Sequence, residues 1–189
     1  MAGGALIPWL VAGLLAGAEP QSPIAPVRIE PAPGSANAIT VTLTGVEQDP
    51  VPLAAKWDAS AACLADVACF VSSWMEANST ASMEHVVVLR AADERAELQK
   101  RYADPAMIQR NAARFNQVRR WSLLGWAEYG PARVVFLGKE DSTADPVYVL
   151  TIRKVEGRWA QTDIFASDPG FYEIFNRVAR VILDRHRKK

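Results

Sequence analysis

The sequence contains few of the side chains that most often carry catalysis or bind metals. Its 189 residues include two cysteines and two histidines, and 21 basic side chains balance 21 acidic ones. It has no glycine-rich phosphate loop, nucleophile elbow or zinc-binding motif. A nucleic-acid-binding protein would need a denser basic stripe than this chain offers. We therefore expect no cofactor, no metal ion and no nucleic-acid partner, and no motif specifies a chemistry.

Residues 1–18 contain no lysine or arginine, yet they have the pattern of a signal peptide. An apolar run from Ala5 to Leu15 precedes Ala16-Gly17-Ala18, which is the small-x-small pattern of a signal-peptidase site. The run is too short and too rich in glycine to be a comfortable membrane span. We predict export to the periplasm or secretion, with no stable membrane span after cleavage. An uncleaved N-terminal anchor is the alternative.

The rest of the chain divides into a proline-rich segment and one domain. Residues 19–37 contain five prolines and few side chains that could pack, which is typical of an extended linker. Residues 38–189 are numerous enough for a single domain with a sizeable core. This domain begins with a stretch at 39–46 whose alternating β-branched residues predict one strand.

Helices are predicted in the first half of the domain and at its end. Residues 61–77 place apolar side chains on one helical stripe, and residues 82–103 are also rich in helix-forming patterns. Asp104-Pro105 and Asp168-Pro169 each combine a good N-cap with a proline at the first helical position. These two pairs predict helices that begin immediately after the aspartates, and the second is a closing C-terminal helix.

The two cysteines, Cys63 and Cys69, are six residues apart. In one continuous helix this spacing separates them by roughly 9 Å along the axis, which exceeds the reach of a disulfide. A bridge therefore requires the helix to start after Cys63, with Asp66 as a suitable N-cap. Because cysteines of exported proteins usually pair, we favour the disulfide. Two small buried thiols are the alternative.

Four runs of β-branched and aromatic residues between Trp121 and Phe165 predict an antiparallel sheet with Gly- and Pro-containing corners. The runs cover residues 121–129, 132–139, 147–155 and 158–165. A two-residue loop, Glu156-Gly157, pairs Val155 with Arg158 and so fixes the register of the last hairpin. The face that holds the large aromatics, which we expect to be the inner one, carries Tyr148, Leu150, Ile152, Lys154, Trp159, Gln161, Asp163 and Phe165.

Asp163 is the one carboxylate on that face, and an ionised carboxylate in a dry site needs partners. Three interpretations remain open from the sequence. Asp163 lines a wet pocket, or it is satisfied by an arginine such as Arg114 or by a helix N-terminus, or the strand end frays and exposes it.

Helices followed by a long, curved antiparallel meander with a strand–EG–RW–strand hairpin resemble the NTF2-like family (SnoaL-like, cystatin-like α+β cones). The resemblance covers roughly residues 61–165. It implies an α+β fold with N-terminal helices packed on a strongly curved four- to five-stranded antiparallel sheet, with a pocket between them. The residues that carry it are Leu89–Arg95, Tyr102-Ala103-Asp104-Pro105, Trp121–Tyr129 and Val149–Asp163.

In some members of that family, such as ketosteroid isomerases, an aspartate in the pocket is a general base, whereas in others the pocket only binds a ligand or is filled. Asp163 is the candidate for such a role here, with Tyr102 or Tyr148 as hydrogen-bond donor. Candidate pocket residues are Trp74, Tyr102, Tyr148, Trp159, Gln161 and Asp163.

We expect an exported, non-catalytic domain that binds a small hydrophobic ligand or an envelope or protein partner. One alternative is a pocket enzyme of isomerase or hydrolase type with Asp163 as general base. Another is a purely structural accessory domain whose concave face is packed shut. A homodimer is also compatible with the sequence.

Overall fold

The computed structural model describes residues 21–29, 38–140 and 145–188. The predicted signal peptide lies outside the described residues. The described chain is an α+β domain, as the sequence predicts, with helices on both sides of an antiparallel sheet. Among the described residues, no helix is both long and apolar enough to cross a membrane.

The main sheet has six strands, rather than the four to five expected from the sequence, and every neighbouring pair is antiparallel. The four strands predicted between Trp121 and Phe165 are all present, although the last is shorter than expected. The strands of this sheet are β1 (Gln21–Pro23), β4 (Gly45–Leu53), β5 (Arg120–Tyr129), β6 (Ala132–Glu140), β7 (Val147–Val155) and β8 (Arg158–Gln161).

The β7–β8 hairpin has the predicted register, with Val155 opposite Arg158. Its two loop residues, Glu156 and Gly157, have φ values of 51° and 80°. Positive φ at both positions is the geometry of a type I′ turn, whose twist matches that of the strands. Gly157 adopts this backbone without the steric cost that a Cβ would add.

Part of the segment predicted to be a linker is instead folded. Strand β1 pairs with β4 in the main sheet, and β2 (Val27–Ile29) pairs with β3 (Ile39–Val41) in a separate two-stranded ribbon. Ile24, Val27 and Ile29 are buried. These apolar side chains pack against residues far along the chain. The burial outweighs the preference of the neighbouring prolines for an unpaired, extended chain. The strand predicted at 39–46 is divided between β3 and the start of β4.

Five α-helices and one 3₁₀ turn cover one face of the sheet. They are α1 (Ala61–Ala65), α2 (Val67–Ser79), α3 (Met83–Val88), the 3₁₀ turn Ala92–Glu94, α4 (Arg95–Arg101) and α5 (Pro105–Phe115). The predicted Cys63–Cys69 disulfide is confirmed, with its Cα atoms 5.1 Å apart. It is possible because the helix is interrupted at Asp66, whose side chain caps α2 by accepting a hydrogen bond from the Cys69 amide at 2.8 Å.

The C-terminal helix α6 (Pro169–Arg187) covers the opposite face together with the β2–β3 ribbon. Asp168 caps it as predicted, accepting hydrogen bonds from the amides of Gly170 and Phe171. Near its other end, Arg185 donates to the backbone carbonyl of Pro26 at 2.7 Å and pairs with Glu47 at 2.9 Å. The sheet is therefore buried on both faces, and α6 is joined to the N-terminal strands.

Candidate functional site

The space between the helices and the sheet is filled by aromatic side chains. The rings of Phe115 and Trp121 stack with centroids 4.8 Å apart, and Trp74 contacts Phe115 edge-on at 5.1 Å. Tyr148 closes the group, 5.4 Å from Trp74 and 5.9 Å from Trp121. Aromatic pairs at these distances stabilise the core beyond the area that they bury.

Asp163 lies just after β8, between two arginines. Its Oδ1 is 2.8 Å from Nη1 of Arg90, and its Oδ2 is 3.1 Å from Nη1 of Arg101. The Arg90 side chain is only 5% exposed, whereas that of Arg101 is 49% exposed. Asp163 is ion-paired, as one of the three interpretations from the sequence expected, with Arg90 and Arg101 in place of Arg114, and it also lines the cavity described below. The buried Arg90 is the principal partner, since exposed pairs are screened by water.

Glu94 accepts hydrogen bonds from the chain at Thr162 and Asp163. Its carboxylate accepts a hydrogen bond from the Asp163 amide at 2.8 Å and another from the hydroxyl of Thr162, which is fully buried. Arg90 reaches the same carboxylate, with Nη1 3.4 Å from Oε2. The network therefore positions Asp163 through both its side chain and its main chain.

The segment around Arg90 is attached to the end of β8. The Gln161 amide donates to the Leu89 carbonyl at 2.7 Å, and the Ala91 amide donates to the Gln161 carbonyl at 2.9 Å. This short parallel bridge between Arg90 and Gln161 brings the helical layer into contact with the sheet edge. It explains how residues more than sixty positions apart form one ion-paired cluster.

A cavity of about 260 Å³ opens beside this cluster, at the edge of the sheet. We call it the edge cavity. It lies where β8 has ended but β7 continues. The residues that line it are Asp145, Tyr148, Val149, Leu150, Thr151, Gln161, Asp163, Tyr172 and Asn176.

The backbone of β7 is open at the edge cavity. The Thr162 amide donates to the Thr151 carbonyl at 3.0 Å, which continues the β7–β8 ladder by one pair. In an antiparallel ladder the outward-facing residues alternate, so Val149 is the next residue whose N–H and C=O point away from β6. No strand of the described chain pairs with Val149 on that side. Among the described residues, the backbone N–H and C=O of Val149 therefore have no partner at the edge cavity.

Three side chains of the edge cavity also have polar groups without a hydrogen-bond partner among the described residues. They are the hydroxyls of Tyr148 and Tyr172 and the amide of Asn176. Although 36% of Tyr148 as a whole is exposed, its hydroxyl lies in desolvated surroundings. Burial, with smaller contributions from Tyr172, Asp163 and Tyr102, raises the pKa of Tyr148 to about 12. The Tyr148 hydroxyl is therefore neutral and a hydrogen-bond donor at physiological pH.

The two carboxylates of the edge cavity are already compensated. Asp163 has its two arginines, and Asp145 lies 3.5 Å from Lys139 and 3.3 Å from Arg180. A general base must have a free lone pair directed at the proton that it removes. Both oxygens of Asp163 face guanidinium groups, which leaves this carboxylate poorly placed for that role.

Of the predicted pocket residues, Tyr148, Gln161 and Asp163 are brought together on the edge cavity. Trp74 lies behind it, with its Nε1 donating to Oε1 of Gln161 at 3.1 Å. Tyr102 and Trp159 do not line it. Tyr102 packs against the core, and Trp159 is buried beneath Arg133, whose guanidinium lies 4.5 Å from the ring centroid.

Sequence reasoning missed Tyr172 and Asn176, because it placed the pocket on the side of the N-terminal helices. The signal that could have found them is their position on α6, one turn apart on the same face of the helix. The one group of potential metal ligands within the described residues, Asp58 with Cys63 and Cys69, has both sulfurs in the disulfide. It therefore has no thiolate to offer a metal ion.

Comparison with known proteins gives no relative from which a role could be transferred. No protein-family model, curated protein or solved structure matches this chain.

Proposed function

We propose that this protein is an exported, non-catalytic binding domain whose site is the edge cavity. The observation that carries the proposal is the convergence of unpartnered polar groups on one opening. The hydroxyls of Tyr148 and Tyr172, the amide of Asn176 and the free backbone of Val149 all border the same space. A concave site with a few convergent polar groups is the usual form of a small-molecule site.

The chemistry of the edge cavity favours a small neutral polar ligand over the hydrophobic one expected from the sequence. Its free groups are hydroxyls, amides and backbone atoms, and its two carboxylates are already paired with cations. A volume of about 260 Å³ corresponds to roughly nine waters at about 30 Å³ each. A single saccharide unit combines this size with many hydroxyl groups and an apolar face for Tyr148.

Three further features support export, the family resemblance and a non-catalytic role. The Cys63–Cys69 disulfide is consistent with an oxidising compartment, and so with export. The order of helices followed by an antiparallel meander, with the Arg90 segment beside β8, supports membership of the NTF2-like family. The engagement of both Asp163 oxygens by arginines favours binding over the isomerase or hydrolase alternative.

The test is a titration of the isotope-labelled protein with N-acetylglucosamine, glucose and N-acetylalanine methylamide, followed by backbone amide shifts in NMR. We expect saturable shifts at residues 148–151 and 172–176 with at least one of the two sugars. The ligand spectrum should remain unchanged on long incubation, since no turnover is proposed. Asn176→Leu should weaken binding about tenfold, the loss expected for a hydrogen bond made to a ligand.

Gln109→Leu is the matched control, because Gln109 lies on the exposed side of α5, away from the edge cavity. This variant should bind as the wild type does. Shifts only with the acetylated alanine amide would replace the saccharide with an extended peptide that pairs with Val149. If none of the three probes causes saturable shifts at the edge cavity, or if Asn176→Leu binds normally, the proposal is wrong.

A further inference from the structure

A second cavity lies on the other side of Arg90, against the β7–β8 hairpin. Its volume is about 250 Å³, and we call it the hairpin cavity. It is distinct from the edge cavity, because the two have no lining residue in common. Its principal lining residues are Leu64, Val88, Arg90, Arg95, Arg158 and Trp159.

Arg95 gives the hairpin cavity a cation with no carboxylate of its own. Its Nε donates to the Arg90 carbonyl and its Nη2 to the Val88 carbonyl, each at 3.1 Å. No acidic side chain of the described chain forms an ion pair with it. The two carbonyls hold the guanidinium in a fixed orientation, and its Nη1 has no partner among the described residues. A guanidinium that is oriented in advance loses less entropy when it binds an anion.

The other charges around the hairpin cavity do not cancel that of Arg95. Arg90 is neutralised by Glu94 and Asp163, neither of which lines this cavity. Arg158 has Glu156 as its partner at 3.7 Å, and both side chains are largely exposed, so their attraction is weak. With Arg90 neutralised and Glu156 opposite Arg158, the charge of Arg95 is left over, and the cavity attracts anions.

The remaining walls of the hairpin cavity are apolar. Leu64 and Trp159 are buried beneath it, whereas Val88 is 41% exposed although it is a large hydrophobic residue. An apolar group placed over Val88 would remove that surface from water, which is favourable in proportion to the area covered. A ligand that satisfies both halves of the cavity has an anionic head for the arginines and an apolar body for Val88 and Trp159.

We propose that the hairpin cavity binds a small organic carboxylate, with Arg95 and Arg158 on the carboxylate group and the apolar part of the ligand between Val88 and Trp159. This site goes beyond the function proposed for the edge cavity and does not depend on it. A volume of about 250 Å³ is that of roughly eight waters at about 30 Å³ each, which is enough for one aromatic ring with one small substituent. Benzoate has that size and both chemical halves, which makes it the natural probe.

The experiment is an NMR titration of the full protein with benzoate, benzyl alcohol and inorganic phosphate. Benzoate should cause saturable shifts of the amides at 88–95 and 155–160 and of the Trp159 indole N–H. Benzyl alcohol, which lacks the charge, should bind about tenfold more weakly, the loss of one charge-assisted hydrogen bond. Phosphate, which lacks the apolar body, should also bind more weakly than benzoate.

Arg95→Gln should weaken benzoate binding about tenfold, because it removes one charge-assisted hydrogen bond to the carboxylate. Arg95 also donates to two backbone carbonyls, so its replacement could disturb the fold. Arg158→Gln is therefore the second variant, because Arg158 lies at the exposed hairpin tip. Arg110→Gln on α5 is the matched control and should bind as the wild type does. Equal binding of benzoate and benzyl alcohol, stronger binding of phosphate, an unchanged affinity in Arg158→Gln, or no saturable shift at these residues would each overturn the proposal.

Discussion

The ion pair between Arg90 and Asp163 makes a quantitative prediction for Asp163→Asn. Removing one partner of a buried pair typically costs about 3–5 kcal/mol, because the other charge is left without compensation. Arg90 is the partner that would be left, and its side chain is only 5% exposed. Two features reduce the cost. Glu94 remains 3.4 Å from Arg90, and Asp163 itself is 27% exposed, so water can reach the site.

We therefore expect Asp163→Asn to lower the free energy of unfolding by about 2–3 kcal/mol. For a domain of this size that corresponds to a fall in Tm of about 4–12 °C. Urea unfolding followed by circular dichroism measures the first quantity, and calorimetry measures the second. Arg101→Gln is the matched comparison. It removes the exposed partner of the same carboxylate, so it should cost less than about 1 kcal/mol.

A double-mutant cycle shows whether the cost comes from the pair itself. Arg90→Met should be less destabilising in the Asp163→Asn background than alone, by about 1–2 kcal/mol of coupling energy. Asp163→Asn as stable as the wild type would refute the assignment of Arg90 as principal partner. So would an Arg101→Gln variant that is as unstable as Asp163→Asn.

Two further predictions concern the disulfide and Tyr148. Replacing Cys63 and Cys69 by serine should lower the free energy of unfolding by about 2–3 kcal/mol, because the unfolded chain gains entropy without the disulfide. A reducing agent should lower the urea midpoint of the wild type but not that of this variant. The pKa of Tyr148 is raised to about 12 in the folded protein against about 10 when unfolded, so its neutral form stabilises the fold fully below pH 10. This contribution should be lost as the pH rises from about 10 to about 12. Over that range, the free energy of unfolding of Tyr148→Phe should fall less steeply with pH than that of the wild type. An unchanged slope in Tyr148→Phe would contradict the assigned burial.

The features predicted correctly from the sequence are those set by local rules. The Glu156-Gly157 turn fixed the hairpin register, and the Asp-Pro pairs marked the starts of α5 and α6. The disulfide followed from the spacing of two cysteines and a capping residue between them. In each case the residues that decide the structure lie within a few positions of one another.

The features that were missed depend on contacts between distant residues. Arg90 reaches Asp163 across 73 positions in sequence, and no local pattern distinguishes it from Arg114. Phe165 was assigned to the inner face by extending the alternation of β8. The strand ends at Gln161, and the chain then turns so that Phe165 packs on Phe171 of α6. The edge cavity exists because β8 is short, which the hydrophobic pattern of 158–165 does not reveal.

The layer that covers the second face of the sheet is built from the two ends of the described chain. Ile24 and Val27 come from its first strands, and Val178 and Ile182 come from its last helix. During synthesis, Phe136 and its neighbours on that face are made before α6, so the face stays uncovered until α6 is available. Formation of this layer therefore depends on contacts between its first strands and α6.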